Sequence, residues 1–313
     1  MADNKKKENP SKARSHKEES IRQRAASLVT EDTAFTIVEA YKTARTNIIF
    51  SLGTAKGCKK IVITSANPGE GKTTTTLNLA IVFAQTDAKV LVIDADLRKP
   101  RIYRHLQLER KGGLSDVLCD FIDVESAIHH VEKYGIDCIT SGQIPPNPAE
   151  LLSSDAMGDL LDKLSERYDY IFIDTPPSTI VTEAAVLSRF VNGVIIVARQ
   201  NYTIFESLAK ARENLLFADA KILGYILNDI AAKKYGYGRY YYRNYRSYGY
   251  GYGYNDGRYG YGYGHYGYQY GYGYGENRKS NSAENDNAQK TASSFSADLK
   301  NKSIKLINKI FKK

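Results

Sequence analysis

The chain has 313 residues, an apolar share of 42% that can support a real core, and a formal net charge of +9. This length suits one large domain with flexible ends, and no apolar run approaches the ~20 residues of a membrane-spanning helix. The charge is unevenly spread, with net +4 over residues 1–30, −5 over 31–230 and +10 over 231–313, so the middle lacks the basic face of a nucleic-acid-binding domain.

The opening MADNKKKENPSK has no apolar stretch and does not read as a secretory signal, which points to the cytoplasm. Residues 1–33 are polar and rich in Lys and Glu, and disorder is expected there. Cys58, Cys119 and Cys138 fit no metal-ligand spacing and are expected to be reduced, mostly buried thiols. From TIVEAYKTARTNIIF onward apolar residues recur at helical spacing.

Strands are expected over Lys60–Thr64, Lys89–Asp94, Gly135–Thr140, Tyr170–Asp174, Gly193–Ala198 and Ile222–Leu227. Helices are expected over Thr73–Ala84, Ala149–Glu166, Glu183–Phe190 and Phe205–Phe217. Segments such as VLVID and YIFID are apolar at successive positions, so both faces of their sheet must be covered. The alternation of such strands with amphipathic helices predicts a doubly wound, mostly parallel α/β sheet over residues 34–230.

Ala66–Thr73 reads ANPGEGKT, the phosphate-binding loop pattern with Ala in the first position. It lies between an expected strand and an expected helix. Asn67, Pro68, Gly69, Glu70, Gly71, Lys72, Thr73 and Thr74 are therefore the nucleotide-binding candidates. The two glycines let backbone N–H groups approach phosphate oxygens, Lys72 can reach the β- and γ-phosphates, and the Thr73 hydroxyl can bind Mg²⁺. Asp94 and Asp96 close the strand that follows the loop strand in sequence. Two residues apart, they are expected on one side, where carboxylates beside a triphosphate can hold Mg²⁺ and accept a proton. Asp174, in YDYIFIDTPP, is a third acid at the end of a buried strand, and the Thr175-Pro176-Pro177 run stiffens the turn after it. The metal candidates are Thr73, Asp96 and Asp174, and the catalytic candidates are Lys72, Asp94 and Asp96. No Asn-Lys-x-Asp guanine-reading element occurs, so the nucleotide is expected to be ATP. His129 and His130 read as neighbouring surface residues of a helix.

Past Ile230 the composition changes. Between Tyr235 and Tyr274 lie 18 of the chain's 25 tyrosines, mostly alternating with glycine. Glycine weakens any strand and no partner strand is evident, so residues 231–275 read as a disordered segment. A flexible chain of ~40 residues has an r.m.s. reach of roughly 35 Å, enough to present phenols to a neighbouring subunit. The acceptor candidates are Tyr240, Tyr241, Tyr242, Tyr245, Tyr248, Tyr250, Tyr252, Tyr254, Tyr259, Tyr261, Tyr263, Tyr266, Tyr268, Tyr270, Tyr272 and Tyr274. Each phosphorylation adds about −1.5 to −2 charges, so a few events reverse the sign of this region. A self-associating Tyr/Gly role stands beside the acceptor role. A polar linker, 276–296, leads to 297–313. There Leu299, Ile304, Leu306, Ile307, Ile310 and Phe311 fall on one helical arc and Lys302, Lys305, Lys309, Lys312 and Lys313 on the other, the pattern of a basic amphipathic helix that contacts an anionic membrane surface.

The elements EAYKTARTNIIF, SANPGEGKTTT, VLVIDADLRKP, GLSDVL, SGQIPPNPAELL and YDYIFIDTPP, with the tyrosine cluster behind them, resemble in order and spacing the bacterial tyrosine kinases (BY-kinases) of capsule and exopolysaccharide operons. The resemblance runs from about Glu39 to Ile230. It implies a P-loop NTPase fold of the deviant Walker (MinD/ParA-like) group and ATP- and Mg²⁺-dependent autophosphorylation of the C-terminal tyrosines. It makes Lys72 and Thr73 part of Walker A, Asp94 and Asp96 part of Walker A′ with one of them the base, and Asp174 part of Walker B. Arg98 would contact phosphate or the tail. The implied partners are a transmembrane adaptor of the polysaccharide co-polymerase type, a cognate tyrosine phosphatase and further copies of the chain in a ring, with the protein peripheral at the inner membrane face. The family's ring helix carries Glu-x-x-Arg-x-x-Arg; here it reads Glu39-x-x-Lys42-x-x-Arg45, and lysine cannot form arginine's paired fork. The positioning ATPases that share the fold carry a second lysine early in the loop, where this chain has Asn67. They, and a nucleotide-regulated scaffold, are the alternative readings.

Overall fold

A computed structural model describes residues 27–54 and 56–230. The tyrosine-rich segment, the linker and the C-terminal amphipathic pattern, with all sixteen acceptor candidates, lie outside the described residues.

The chain enters through helix α1 (Phe35–Leu52) and strand β1 (Lys59–Ser65), then turns through the glycine-rich loop into α2 (Lys72–Ala84) and β2 (Val90–Asp94). Short helical turns α3 (Ile102–His105), α4 (Leu114–Leu118) and α5 (Val124–Ala127) lead to β3 (Ile128–Val131) and β4 (Ile136–Ile139). Helices α6 (Pro148–Leu152) and α7 (Asp155–Ser165) precede β5 (Tyr170–Asp174). After α8 (Glu183–Leu187) come β6 (Gly193–Arg199), α9 (Phe205–Phe217) and β7 (Ile222–Asn228).

The seven strands form one sheet in the order β3-β4-β2-β5-β1-β6-β7, parallel throughout except for the β3–β4 pair. Successive residues of the central strands feed opposite layers. Val90, Val92, Phe172, Ile195 and Val197 pack beneath α1 and α2, whereas Leu91, Ile93, Ile171, Ile173, Val194 and Ile196 pack against α7, α8 and α9. This two-sided burial is why these strands read as continuous apolar runs.

Four expectations are corrected. Disorder through residue 33 is not what the structure shows: Leu28 and Val29 are buried in the layer over α2, and the Val29 N–H donates to Asn78 Oδ1 at 2.8 Å. Two apolar residues in a polar stretch suffice to anchor it, because a buried helix offers them both a surface and a hydrogen-bond partner. The helix expected over Ala149–Glu166 is two helices. The Ser153 and Ser154 hydroxyls donate to the carbonyls of Glu150 and Leu151, and Ser154 is extended, the competition by which serine breaks a helix. His129 and His130 lie on β3, an edge strand paired antiparallel with β4, not on a helix. Of the cysteines, Cys138 is buried and Cys119 exposed, against the expectation of mostly buried thiols. No described helix is long and apolar enough to cross a membrane.

Candidate active site

In-register pairing brings the chemistry to one sheet edge. Asp94, the last residue of β2, is the direct partner of Asp174, the last residue of β5, and β5 also pairs with β1, which runs into the loop. The C-terminal edge of such a sheet is where ligands bind. Ala66 in the loop's first position is fully buried and is not among the residues of positive φ, so the pattern's glycine is not required there. Gly71 is required: its φ is +88°, and a Cβ would sit 2.0 Å from Asn228 Nδ2. It starts α2 with no side-chain cap, so the N–H groups of the first turn face the cleft with the positive end of the helix dipole.

Pro68, Gly69, Gly71, Lys72, Thr73 and Thr74 line a cleft of about 170 Å³ together with Asp96, Arg98, Pro176 and Pro177. Asn67 and Glu70, two of the expected nucleotide contacts, do not line it. The Glu70 carboxylate turns inward to accept from the Asn67 N–H at 2.9 Å and from Thr203 Oγ1 at 2.6 Å. Tyr202 and Asn228 then donate to the carbonyls of Pro68 and Glu70. The loop is thus held from β7 and the segment after β6, by Tyr202, Thr203 and Asn228. Sequence reasoning missed these, because partners more than 130 residues away leave no local signal.

Lys72 is the centre of the charge arrangement. Its Nζ lies 3.0 Å from Asp96 Oδ2 and 3.6 Å from Asp174 Oδ2. Burial works against its ammonium, but Asp174 and Asp96 outweigh that and leave its pKa above the ordinary lysine value. Thr73 Oγ1 donates to Asp174 Oδ2 at 2.6 Å. Burial raises the Asp174 carboxyl, with Lys72 and Thr73 opposing the rise. Burial, followed by the Asp174 charge, pushes Asp94 up to about 8.

The two acids of the DAD stretch have different jobs. The strand ends at Asp94, so the alternation that would place both on one side does not extend to Asp96. Asp94 is fully buried; its oxygens accept from the N–H groups of Asp96, Arg101 and Ile102 at 3.1–3.2 Å. It fixes the backbone of the turn. Asp96 lines the cleft and faces Lys72, with its other oxygen accepting from the Lys99 N–H at 3.0 Å. Arg98 lines the cleft too, and its Nε donates at 2.6 Å to Glu183, a residue only 1% exposed whose second oxygen is buried with no hydrogen-bond partner among the described residues. Glu183 was also missed; an acid in the first turn of α8 looks like an ordinary helix-start residue. The GLSDVL and SGQIPPNPAELL stretches meet backbone to backbone beside this site. A Cβ on Gly113 would lie 2.3 Å from the Gly142 nitrogen, and Asp116 accepts from both Gly113 and Gln143.

The donors suit Mg²⁺. No cage of three or more His, Cys, Asp or Glu groups occurs among the described residues. Mg²⁺ ordinarily takes one or two carboxylates plus phosphates and water rather than an all-protein cage. Thr73, Asp96 and Asp174 supply a hydroxyl and two carboxylates, and two carboxylates against the single Lys72 ammonium leave negative charge that a divalent cation offsets.

A family model described as an AAA domain matches residues 58–215. The tyrosine-protein kinase YwqD of Bacillus subtilis (strain 168) is 44% identical over 203 residues, which is 65% of this chain and 85% of that protein. This chain belongs to the bacterial tyrosine kinases. The tyrosine-protein kinase Etk of Escherichia coli (strain K12) is 37% identical over 213 residues, 67% of this chain but 29% of Etk. The solved kinase domain of that enzyme superposes with a TM-score of 0.60 at 38% identity, covering 64% of this chain and 80% of that one. As a bacterial tyrosine kinase the chain has the expected mostly parallel P-loop fold.

The expected ring motif is engaged within the chain. Lys42 Nζ pairs with Glu39 Oε1 at 2.8 Å, and Arg45 donates to the Val82 carbonyl at 2.5 Å.

Proposed function

We propose that this bacterial tyrosine kinase transfers the γ-phosphoryl group of ATP, with Mg²⁺, to tyrosines of its own C-terminal segment, and so regulates exopolysaccharide or capsule synthesis and export. The observation that carries the reading is the Lys72–Asp96 pair at the floor of a cleft, on a chain that holds sixteen closely spaced phenols downstream. A phenol has a pKa near 10 and is a poor nucleophile until a base takes its proton. Of Asp94, Asp96 and Asp174 only Asp96 lines the cleft, so Asp96 is the base and Asp94 the residue that positions its turn. Lys72 and the α2 N-terminus hold the β- and γ-phosphates. Thr73, Asp96 and Asp174 would hold Mg²⁺, which neutralises charge on the phosphoryl oxygens. Arg98, oriented by Glu183, meets the transferred group or the incoming tail.

The reading includes a transmembrane adaptor as activator, a tyrosine phosphatase that resets the tail, and a ring of copies built through Glu39, Lys42 and Arg45. In the single chain these three are satisfied internally, so ring assembly must exchange the Glu39–Lys42 pair for contacts between copies. Residues 297–313 contact the inner membrane surface. The test is intact-mass analysis of the full chain after incubation with Mg-ATP and adaptor. Phosphate increments on tail peptides, absent in Lys72→Met, support the reading. Release of inorganic phosphate alone, with the tail unmodified, overturns it.

A further inference from the structure

A second cavity, of about 340 Å³, opens beside the cleft and shares Arg98, Lys99 and Arg101 with it. Arg104 and Arg110 complete a set of five cations around it, and no carboxylate lines it. Among the described residues only Arg98 of the five has a carboxylate partner, Glu183. This concentration is out of keeping with a region whose net charge is −5. The cations are not loosely placed, because Asp94 and Asp96 accept from the backbone N–H groups of Arg101 and Lys99 and pin the loop that carries them. The lining also holds two apolar surfaces. Tyr103 carries the Arg104 guanidinium over its ring, 5.3 Å from the centroid, and Ile144 is 54% exposed.

We propose that this groove binds a phosphotyrosine of the tail already made by the adjoining cleft, holding the chain so that a following tyrosine enters the cleft. The proposal rests on the kinase reading above. Guanidinium groups bind phosphate in paired, charge-assisted hydrogen bonds, while Tyr103 and Ile144 contact the ring. Unmodified, the repeat from Gly249 to Gly275 carries one cation, Arg258, against one anion, Asp256, and offers the five cations nothing to hold; the first phosphorylation supplies about −1.5 to −2 charges there. With a tyrosine at nearly every second position, each advance of one tyrosine along an extended chain is roughly 6–7 Å. The shared lining lets a single stretch occupy both cavities. The groove therefore makes modification of the tail sequential on one chain, and the tyrosine-glycine repeat is the track that suits it.

The experiment uses full-length Lys72→Met protein, which cannot turn over, and a fluorescent peptide spanning residues 258–275 with or without phosphate on Tyr266. The phosphopeptide is expected to bind at least about tenfold more tightly than the unmodified one, with affinity falling as salt rises. Arg104→Ala/Arg110→Ala in that background is expected to remove the difference, and Arg104→Lys/Arg110→Lys, which keeps the charge but not the paired fork, to retain only part of it, which separates charge from misfolding. In the catalytically active chain, Arg104→Ala/Arg110→Ala leaves the first phosphorylation intact but lets singly modified tail accumulate, where the parent proceeds to multiply modified forms. Equal binding of both peptides overturns the proposal, as does unchanged binding by the alanine variant. Displacement by inorganic phosphate or a phosphoserine peptide as effective as by the phosphotyrosine peptide also overturns it, since the groove would then be a plain anion site. Failure of the active chain to modify any tyrosine sinks the kinase reading and the stepwise advance together, whereas the peptide comparison decides the groove separately.

Discussion

Asp94 and Asp96 are two residues apart and carry the same side chain, yet they meet different surroundings. Asp94 accepts from three backbone N–H groups, whereas Asp96 faces Lys72 and the cleft. An asparagine at position 94 would turn an NH₂ group toward N–H donors and leave buried polar groups unmatched. Asp94→Asn is expected to cost about 1–3 kcal/mol of stability, read as a lower urea midpoint. Asp96→Asn is expected to leave the midpoint within about 1 kcal/mol while lowering the rate of tail phosphorylation about 10²–10⁴-fold. Equal loss of stability in both variants would remove the division of labour. Neither role was legible in the sequence: DAD announced two acids near a phosphate site, and the alternation rule placed them together, because it cannot tell where a strand ends.

At the scale of elements, the antiparallel edge strand β3 escaped sequence reading because IHHV is short and lies directly after a helical turn. On that strand His130 Nδ1 lies 2.6 Å from Asp137 Oδ1 on β4. The hydrogen bond and the negative charge of Asp137 raise the imidazole pKa above its usual value. A raised histidine pKa means the pair's stabilisation is fully present below the unfolded value near 6.5 and is lost as pH rises through the folded value. NMR titration is expected to show His130 titrating above the free imidazole, and Asp137→Asn to bring it back down; an unchanged titration in that variant would refute the pairing. The N-terminal anchor is the second element hidden from the sequence. Leu28 is 1% exposed beneath a polar run, and Leu28→Ala is expected to cost about 2–5 kcal/mol by the loss of buried methyl groups and the cavity left behind. Chemical denaturation measures it, and a cost under about 0.5 kcal/mol, the range of ordinary surface changes, would show that the segment is not anchored.

For the whole molecule, the fold gathers Lys72, Asp96 and Asp174 at one sheet edge, where anionic phosphates and a divalent cation would arrive together. Free Mg-nucleotide at 100 times its Kd is expected to stabilise the protein by about 2.7 kcal/mol, seen as a rise in thermal midpoint. EDTA is expected to remove most of that rise, because without the metal the nucleotide's charge meets Asp96 and Asp174 directly; a rise that survives EDTA would show that these acids do not hold a metal. The linear order of residues determined the layer architecture, the phosphate loop and the presence of three acids near it. Those are written in local periodicity and in motifs whose chemistry requires particular side chains at fixed short spacing. Only the tertiary structure decided which acid faces the cleft, that the Glu70 carboxylate braces the loop, that Glu183 holds Arg98, and that five cations share one groove. Each of these depends on partners brought together from distant strands, and distance in space between such residues is set by sheet order and register, which leave no trace in neighbouring letters.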